Sequence, residues 1–156
     1  MLIQEGTKAP DFELLDDQNK MVRVSDFKGK KLVLYFYPKD DTPGCAAEAC
    51  DFRDNFKALD RLNVSVVGIS NDSVESHVQF KNKYELNFPL LSDESKEISN
   101  LYEVYKEQKF NDTVFIGIER STFLIDEEGV LRKIWRGVRV RGHAEDILNS
   151  IQELSK

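Results

Sequence analysis

The run Leu32-Val33-Leu34-Tyr35-Phe36-Tyr37, followed at once by Pro38-Lys39-Asp40-Asp41-Thr42-Pro43-Gly44-Cys45-Ala46-Ala47-Glu48-Ala49-Cys50, decides how the chain is read. The first part is the most apolar stretch present and reads as a buried strand bounded by Lys31 and Pro38. The second part opens an amphipathic helix running to about Leu62, with Cys45, Ala49, Phe52, Phe56 and Leu59 on one stripe and Cys50 off it. Thr42 suits the N-cap and Pro43 the first helical position, where a missing N–H costs nothing. Cys45 then falls in the first turn, among unpaired N–H groups at the positive end of the helix dipole. A thiol held there is expected to ionise more readily than a free one, so Cys45 reads as reactive rather than structural.

Spacing constrains the second cysteine. Helical residues five apart have Cα atoms roughly 8–9 Å apart, whereas a disulfide tolerates about 7 Å at most. If Cys45 and Cys50 pair, the helix start must unwind; if they do not, both thiols stay free in one ordered helix.

Composition sets outer bounds. The 156 residues are expected to form one domain, 1–156, with the hydrophobic and charged fractions of an ordinary globule. A net charge of −6 argues against nucleic acid or anionic membranes as partners. No apolar run approaches the roughly 18 residues that span a bilayer, and Met1–Gly6 lacks the features of a signal peptide. The expectation is therefore a cytoplasmic protein, in a compartment where a lone cysteine pair is more often catalytic or redox-sensing than a staple.

Along the chain, Phe12, Leu14 and Met21–Val24 suggest two short strands around a polar turn, and Ser25–Gly29 one helical turn closed by glycine. After the cysteine helix, Val64–Ile69 is a second apolar strand, and Ser73 caps a helix with Val74, Val78 and Tyr84 on one side. Phe88–Leu91 is a short strand with proline at its start, and Ile98, Leu101, Tyr102 and Tyr105 mark a further helix. Lys106–Val114 reads as polar and irregular. Ser121–Ile125 and Val130–Trp135 flank a hairpin turn, and the last helix carries Ala144, Ile147, Leu148, Ile151 and Leu154 on its apolar face. This order predicts an α/β fold with a mixed central sheet and helices on both faces, of thioredoxin-like architecture.

Thioredoxins use Cys-x-x-Cys; the spacing here is Cys-x4-Cys. Pro38-x-x-x-Thr42-x-x-Cys45 resembles the active-site signature of the peroxiredoxins, and Thr42-Pro43-Gly44-Cys45 with Glu48 and Cys50 resembles their bacterioferritin-comigratory-protein (PrxQ) branch. The similarity extends through Gly6–Phe12, Phe88–Asp93, Gly117–Asp126 and Val138–Ala144. It departs at Ala46, where the branch often has threonine, and Phe110–Ile116 looks irregular against the family. The resemblance implies a thiol-dependent peroxidase of atypical two-cysteine type, acting on hydrogen peroxide and organic hydroperoxides. It makes Cys45 the peroxidatic and Cys50 the resolving cysteine. Thr42 would hydrogen-bond thiolate and peroxide, Arg120 would hold Cys45 ionised and orient the peroxide, and Pro38 would shield the pocket. Thioredoxin or glutaredoxin would be the reductant, and the working unit a monomer.

The chemistry is coherent on its own terms. Splitting an O–O bond by in-line attack needs a thiolate and fixed donors for the charge growing on the departing oxygen. Arginine serves well because it stays charged and offers several donors in one plane. A sulfenic acid results, which condenses with a second thiol, and Cys50 is the only other thiol in the chain. A thiol–disulfide oxidoreductase or a redox sensor without turnover are the alternatives. Glu48 is expected as a charge partner or network residue rather than an acid catalyst. His77 and His143 lack zinc spacing, so neither a metal nor a cofactor is expected. Tyr35, Tyr37, Phe52 and Trp135 read as core or pocket wall, and Arg132, Lys133, Arg136, Arg139 and Arg141 as solvated charge.

Overall fold

In the computed structural model, residues 3–154 are described; Met1 and Leu2 of the N-terminal stretch weighed above fall outside them. The chain begins with β1 (Leu14–Asp16), β2 (Met21–Val22), a 3-10 turn (Val24–Phe27) and β3 (Lys31–Phe36), then α1 (Pro43–Asp54) and α2 (Phe56–Arg61). It continues through β4 (Val64–Ser70), α3 (Val74–Tyr84), β5 (Leu90–Ser92) and α4 (Glu97–Leu101). It closes with β6 (Tyr105–Phe110), β7 (Thr113–Ile118), β8 (Ser121–Ile125), β9 (Leu131–Arg136) and α5 (His143–Leu154). Seven strands form one sheet in the order β2-β1-β5-β4-β3-β8-β9. β3 pairs in parallel with β4, and β4 with β5, while β8 runs antiparallel to β3.

The continuous apolar run in β3 follows from burial on both faces, as expected for an inner parallel strand. Val33, Tyr35 and Tyr37 join a core layer with Cys45, Ala49 and Phe52 of α1, Leu59 of α2, Phe80 of α3 and Ile147 and Ile151 of α5. Leu32, Leu34 and Phe36 point the other way, toward Val24, Ile98, Tyr102 and Phe123. Side-chain alternation in one strand thus builds both layers. The mixed sheet covered on both faces agrees with the sequence reading.

Three local expectations need correction. The cysteine helix does not run unbroken to Leu62: it ends at Asp54, where the Asn55 side chain donates to the Asp51 carbonyl at 2.8 Å, and α2 restarts beyond. In α3 the inward residues are His77 and Phe80, while Val78 is exposed. His77 finds polar partners inside and Phe80 packs against Tyr37, so that stripe turns inward. Lys106–Val114 is not irregular, and Tyr105 belongs to a strand rather than a helix: β6 and β7 form a separate hairpin. Its turn residues Asn111 and Asp112 both have positive φ, 47° and 65°, a conformation these two residue types accept readily in a tight hairpin.

Gly68 of β4 lies opposite Tyr35 of β3. A Cβ there would meet Tyr35 Cζ at 2.9 Å and Leu90 Cδ2 at 3.1 Å. The tyrosine ring cannot retreat, because Phe52 packs on it with centroids 4.6 Å apart. Gly68→Ala should therefore cost about 1–3 kcal/mol of stability, read as a lower urea midpoint with an unchanged slope.

Candidate active site

The site forms where β3 ends and α1 begins, outside the carboxyl edge of the parallel strands, where open α/β sheets hold their ligands. Pro43 is the first helical residue, and Thr42 has the extended backbone of an N-cap (φ −85°, ψ 154°). Ala46 N–H bonds Thr42 O at 2.8 Å, and the N–H groups of Gly44 and Cys45 have no acceptor among the described residues. Cys45 is buried and Cys50 half-buried; both are free thiols. They lie within one continuous helix, so the spacing argument against a direct disulfide holds.

Arg120, just before β8, completes the arrangement. Its Nη2 donates to Cys45 Sγ at 3.3 Å and its Nη1 to Glu48 Oε1 at 2.7 Å. The Arg120 and Glu48 side chains are 15% and 2% exposed, so a half-buried guanidinium meets a buried carboxyl. Burial raises the Glu48 carboxyl to about 7, and the Arg120 guanidinium only partly offsets it. Burial also works against the charge of Arg120, but Glu48 and Cys45 prevail and hold the guanidinium above its ordinary value. Gly44 permits the approach: a Cβ there would lie 3.1 Å from Arg120 Nη2.

The structure thus brings Cys45, Arg120 and Glu48 together. Thr42 is placed differently from expectation. The Thr42 hydroxyl makes no cap bond and instead donates to the Lys39 carbonyl at 2.9 Å, closing the turn before the helix. Donation to sulfur requires rotation of that side chain. Pro38, just beyond the end of β3, is exposed.

Glu48 is more central than the sequence reading made it. The available signal was its spacing of three from Cys45, which puts the two on one helix face. His143, which lacks zinc spacing in the sequence, has a different place in the fold. It is buried at the start of α5, with Nε2 2.8 Å from Thr122 Oγ1 and its ring edge-on to Trp135. Burial, aided by the nearby Arg120 charge and opposed by Asp146, lowers it to about 4, so it is neutral near pH 7. Arg136, expected as solvated charge, donates to the carbonyls of Tyr102 and Glu103 beyond α4. Asp40, Asp72 and His77 are the described residues whose ligating atoms cluster closely enough for a metal, within 4.8 Å. Those atoms are already engaged in hydrogen bonds with one another and with neighbouring side chains.

This arrangement, a buried thiol and an arginine at a helix start on a mixed sheet, agrees with the comparisons to known proteins. The AhpC/TSA family profile matches residues 6–134, and the chain belongs to that family. Within it, the chain is 47% identical over 156 residues to peroxiredoxin Bcp of Bacillus subtilis, covering 100% of this chain and 99% of that one. It is 48% identical over 151 residues to a Coxiella burnetii protein named as a putative peroxiredoxin bcp, covering 97% and 100%. A cysteine-to-serine mutant of Xylella fastidiosa PrxQ superposes with a TM-score of 0.93 at 36% identity, over 99% of this chain and 98% of that one. The Xanthomonas campestris bacterioferritin comigratory protein, studied for alkyl peroxide reduction, superposes with a TM-score of 0.88 at 36% identity, over 93% and 92%. The chain is accordingly a peroxiredoxin of the Bcp/PrxQ branch, a thiol-dependent peroxidase of thioredoxin-like fold. Among the described residues, no helix is long and apolar enough to cross a membrane.

Glu48 and His143 tilt stability with pH in opposite directions. The folded Glu48 holds its proton up to about 7 against an ordinary 4.5, so its contribution is complete below 4.5 and is lost as pH rises through 7. The folded His143 resists protonation down to about 4 against an ordinary 6.5, so its contribution is complete above 6.5 and is lost as pH falls through 4. Urea unfolding from pH 4 to 7.5 should show Glu48→Gln gaining on wild type as pH rises, by on the order of 3 kcal/mol. His143→Gln should gain as pH falls.

Proposed function

We propose that Cys45 is the peroxidatic residue and Cys50 the resolving one. The Cys45 thiolate attacks the distal peroxide oxygen, an S–O bond forms as the O–O bond breaks, and the departing alkoxide or hydroxide takes a proton from the medium. The N–H groups of Gly44 and Cys45 and the guanidinium of Arg120 are the fixed donors for that growing charge. Glu48 orients Arg120, and Thr42 joins as a donor once its hydroxyl leaves the Lys39 carbonyl. Pro38 limits water at the rim.

Cys50 then attacks the sulfenic sulfur of Cys45: an S–S bond forms and water leaves. Because both cysteines occupy α1, this step takes local unwinding of the helix. An external dithiol, thioredoxin or glutaredoxin, reduces the bridge. The substrates are hydrogen peroxide and organic hydroperoxides, residues 1–156 act as one unit, and the setting is the cytoplasm. We take the working unit to be a monomer. β7 bears on that point, since Val114, Phe115 and Ile116 expose 58%, 44% and 64% of their surface; sedimentation velocity decides it.

The observation that carries this reading is one guanidinium bonded to both the Cys45 sulfur and a buried carboxylate. Peroxide consumption with a thioredoxin system tests it. Cys45→Ser should abolish turnover, Cys50→Ser should accumulate trappable sulfenic acid, and Arg120→Met should lose about a hundredfold in rate. Full activity in Cys45→Ser would end the reading, whereas one round of oxidation without turnover in wild type would leave a redox sensor. Oxidation should also strip amide-exchange protection from residues near 43–52, and equal protection in both forms would exclude helix opening.

A further inference from the structure

The turn between β3 and α1 is tied down by a buried network that the chemistry at Cys45 does not use directly. Asp40, five residues before Cys45, is buried. Its Oδ1 accepts from Tyr37 Oη at 2.6 Å, and its Oδ2 accepts from Ser76 Oγ at 2.7 Å and lies 2.7 Å from His77 Nδ1. The Asp40 N–H donates to Asp72 Oδ2 at 2.8 Å, and Ser70 Oγ donates to the same oxygen at 2.6 Å. His77 is fully buried, and its Nε2 donates to the Leu91 carbonyl at 2.9 Å. A carbonyl can only accept, so that bond puts a proton on Nε2; a carboxylate oxygen likewise only accepts, so the Nδ1–Asp40 Oδ2 contact requires a second proton between the two groups. The next residue, Asp41, has φ 59°, a left-handed conformation that reverses the chain ahead of Thr42. Asp41 is itself held by Lys83 Nζ and Tyr84 Oη, both at 2.7 Å, but this tie is exposed and correspondingly weak. The buried Asp40 network is therefore the stronger restraint on the turn.

We infer that the Asp40–His77 pair is a positioning device for the peroxidase reaction: it anchors the start of α1 to α3 and β5, so that peroxide meets preset donors. Cys50 lies on the part of α1 beyond this anchor, which the Asp40 network does not hold directly. The inference rests on Cys45 being the residue that peroxide attacks. His77 and Asp40 touch neither sulfur nor substrate; they act through the turn. The expected signature is a loss confined to the peroxide step, whereas a purely structural role would lower melting temperature without separating the two chemical steps.

The test measures both steps on full-length reduced protein, well below each variant's melting temperature. Hydrogen peroxide is the probe. Sulfenic acid formation is followed in a Cys50→Ser background, and disulfide closure in protein that retains Cys50. His77→Leu should slow sulfenic acid formation about tenfold or more while leaving closure as fast or faster. His77→Asn, whose amide nitrogen can reach Asp40 Oδ2, should recover most of the loss. Sulfenic acid formation within about twofold of wild type in His77→Leu, or an equal loss in both steps, overturns the inference. Should His77→Leu fail to fold, Ser76→Ala removes one bond to Asp40 and should cost about two- to threefold in the peroxide step alone; no change there is equally fatal. Peroxide consumption by a Cys45→Ser control would instead refute the assignment of Cys45 itself, and the inference with it.

Discussion

The structure turns on one guanidinium placed between a carboxylate and a sulfur inside the protein. Arg120 is bonded to Glu48 and Cys45 at once, and each contact requires the others. A half-buried arginine without Glu48 would lose its charge partner, and Glu48 without Arg120 would hold its proton still more firmly. The unpartnered Oε2 of Glu48 shows how tightly the pair is enclosed. Gly44 belongs to the same constraint, since any side chain there would crowd the guanidinium. The site is thus an electrostatic unit drawn from two distant parts of the chain, closed by the pairing of β3 with β8.

That pairing explains which parts of the molecule could be read from the sequence. The strand Leu32–Tyr37, the proline-started helix and the apolar stripe through Cys45, Ala49 and Phe52 are local patterns that folded as their periodicities indicate, whereas the continuation through Phe56 and Leu59 falls in a second helix. Arg120 was not legible that way. It stands 75 residues from Cys45, and only the resemblance of its flanking motif to the peroxiredoxins brought it into view. Glu48 was visible as a neighbour on the helix, but its burial and its elevated affinity for a proton are properties of the assembled sheet.

The elements that depart from the apolar pattern all involve polar residues that such a pattern does not register. The inward face of α3 was hidden because His77 does not register as a core residue until the carbonyl of Leu91 and the carboxylate of Asp40 are supplied. The hairpin of β6 and β7 was hidden because its charged and amide side chains mask the strand pattern. The break after Asp54 was hidden because Asn55 ends the helix with its own side chain while the apolar stripe continues through it. Thr42 shows the reverse case: its backbone adopts the cap conformation, but its hydroxyl serves the preceding turn.

The interruption at Asn55 has a consequence for durability. A helix with a ready-made terminus can melt without dragging its neighbour along, and Leu59 of α2 remains seated in the core. Under the proposed Cys45–Cys50 scheme, the opening would be sub-global, with a free energy that is a fraction of that of the whole fold. Built-in segmentation of this kind separates mechanical wear at the site from the lifetime of the protein.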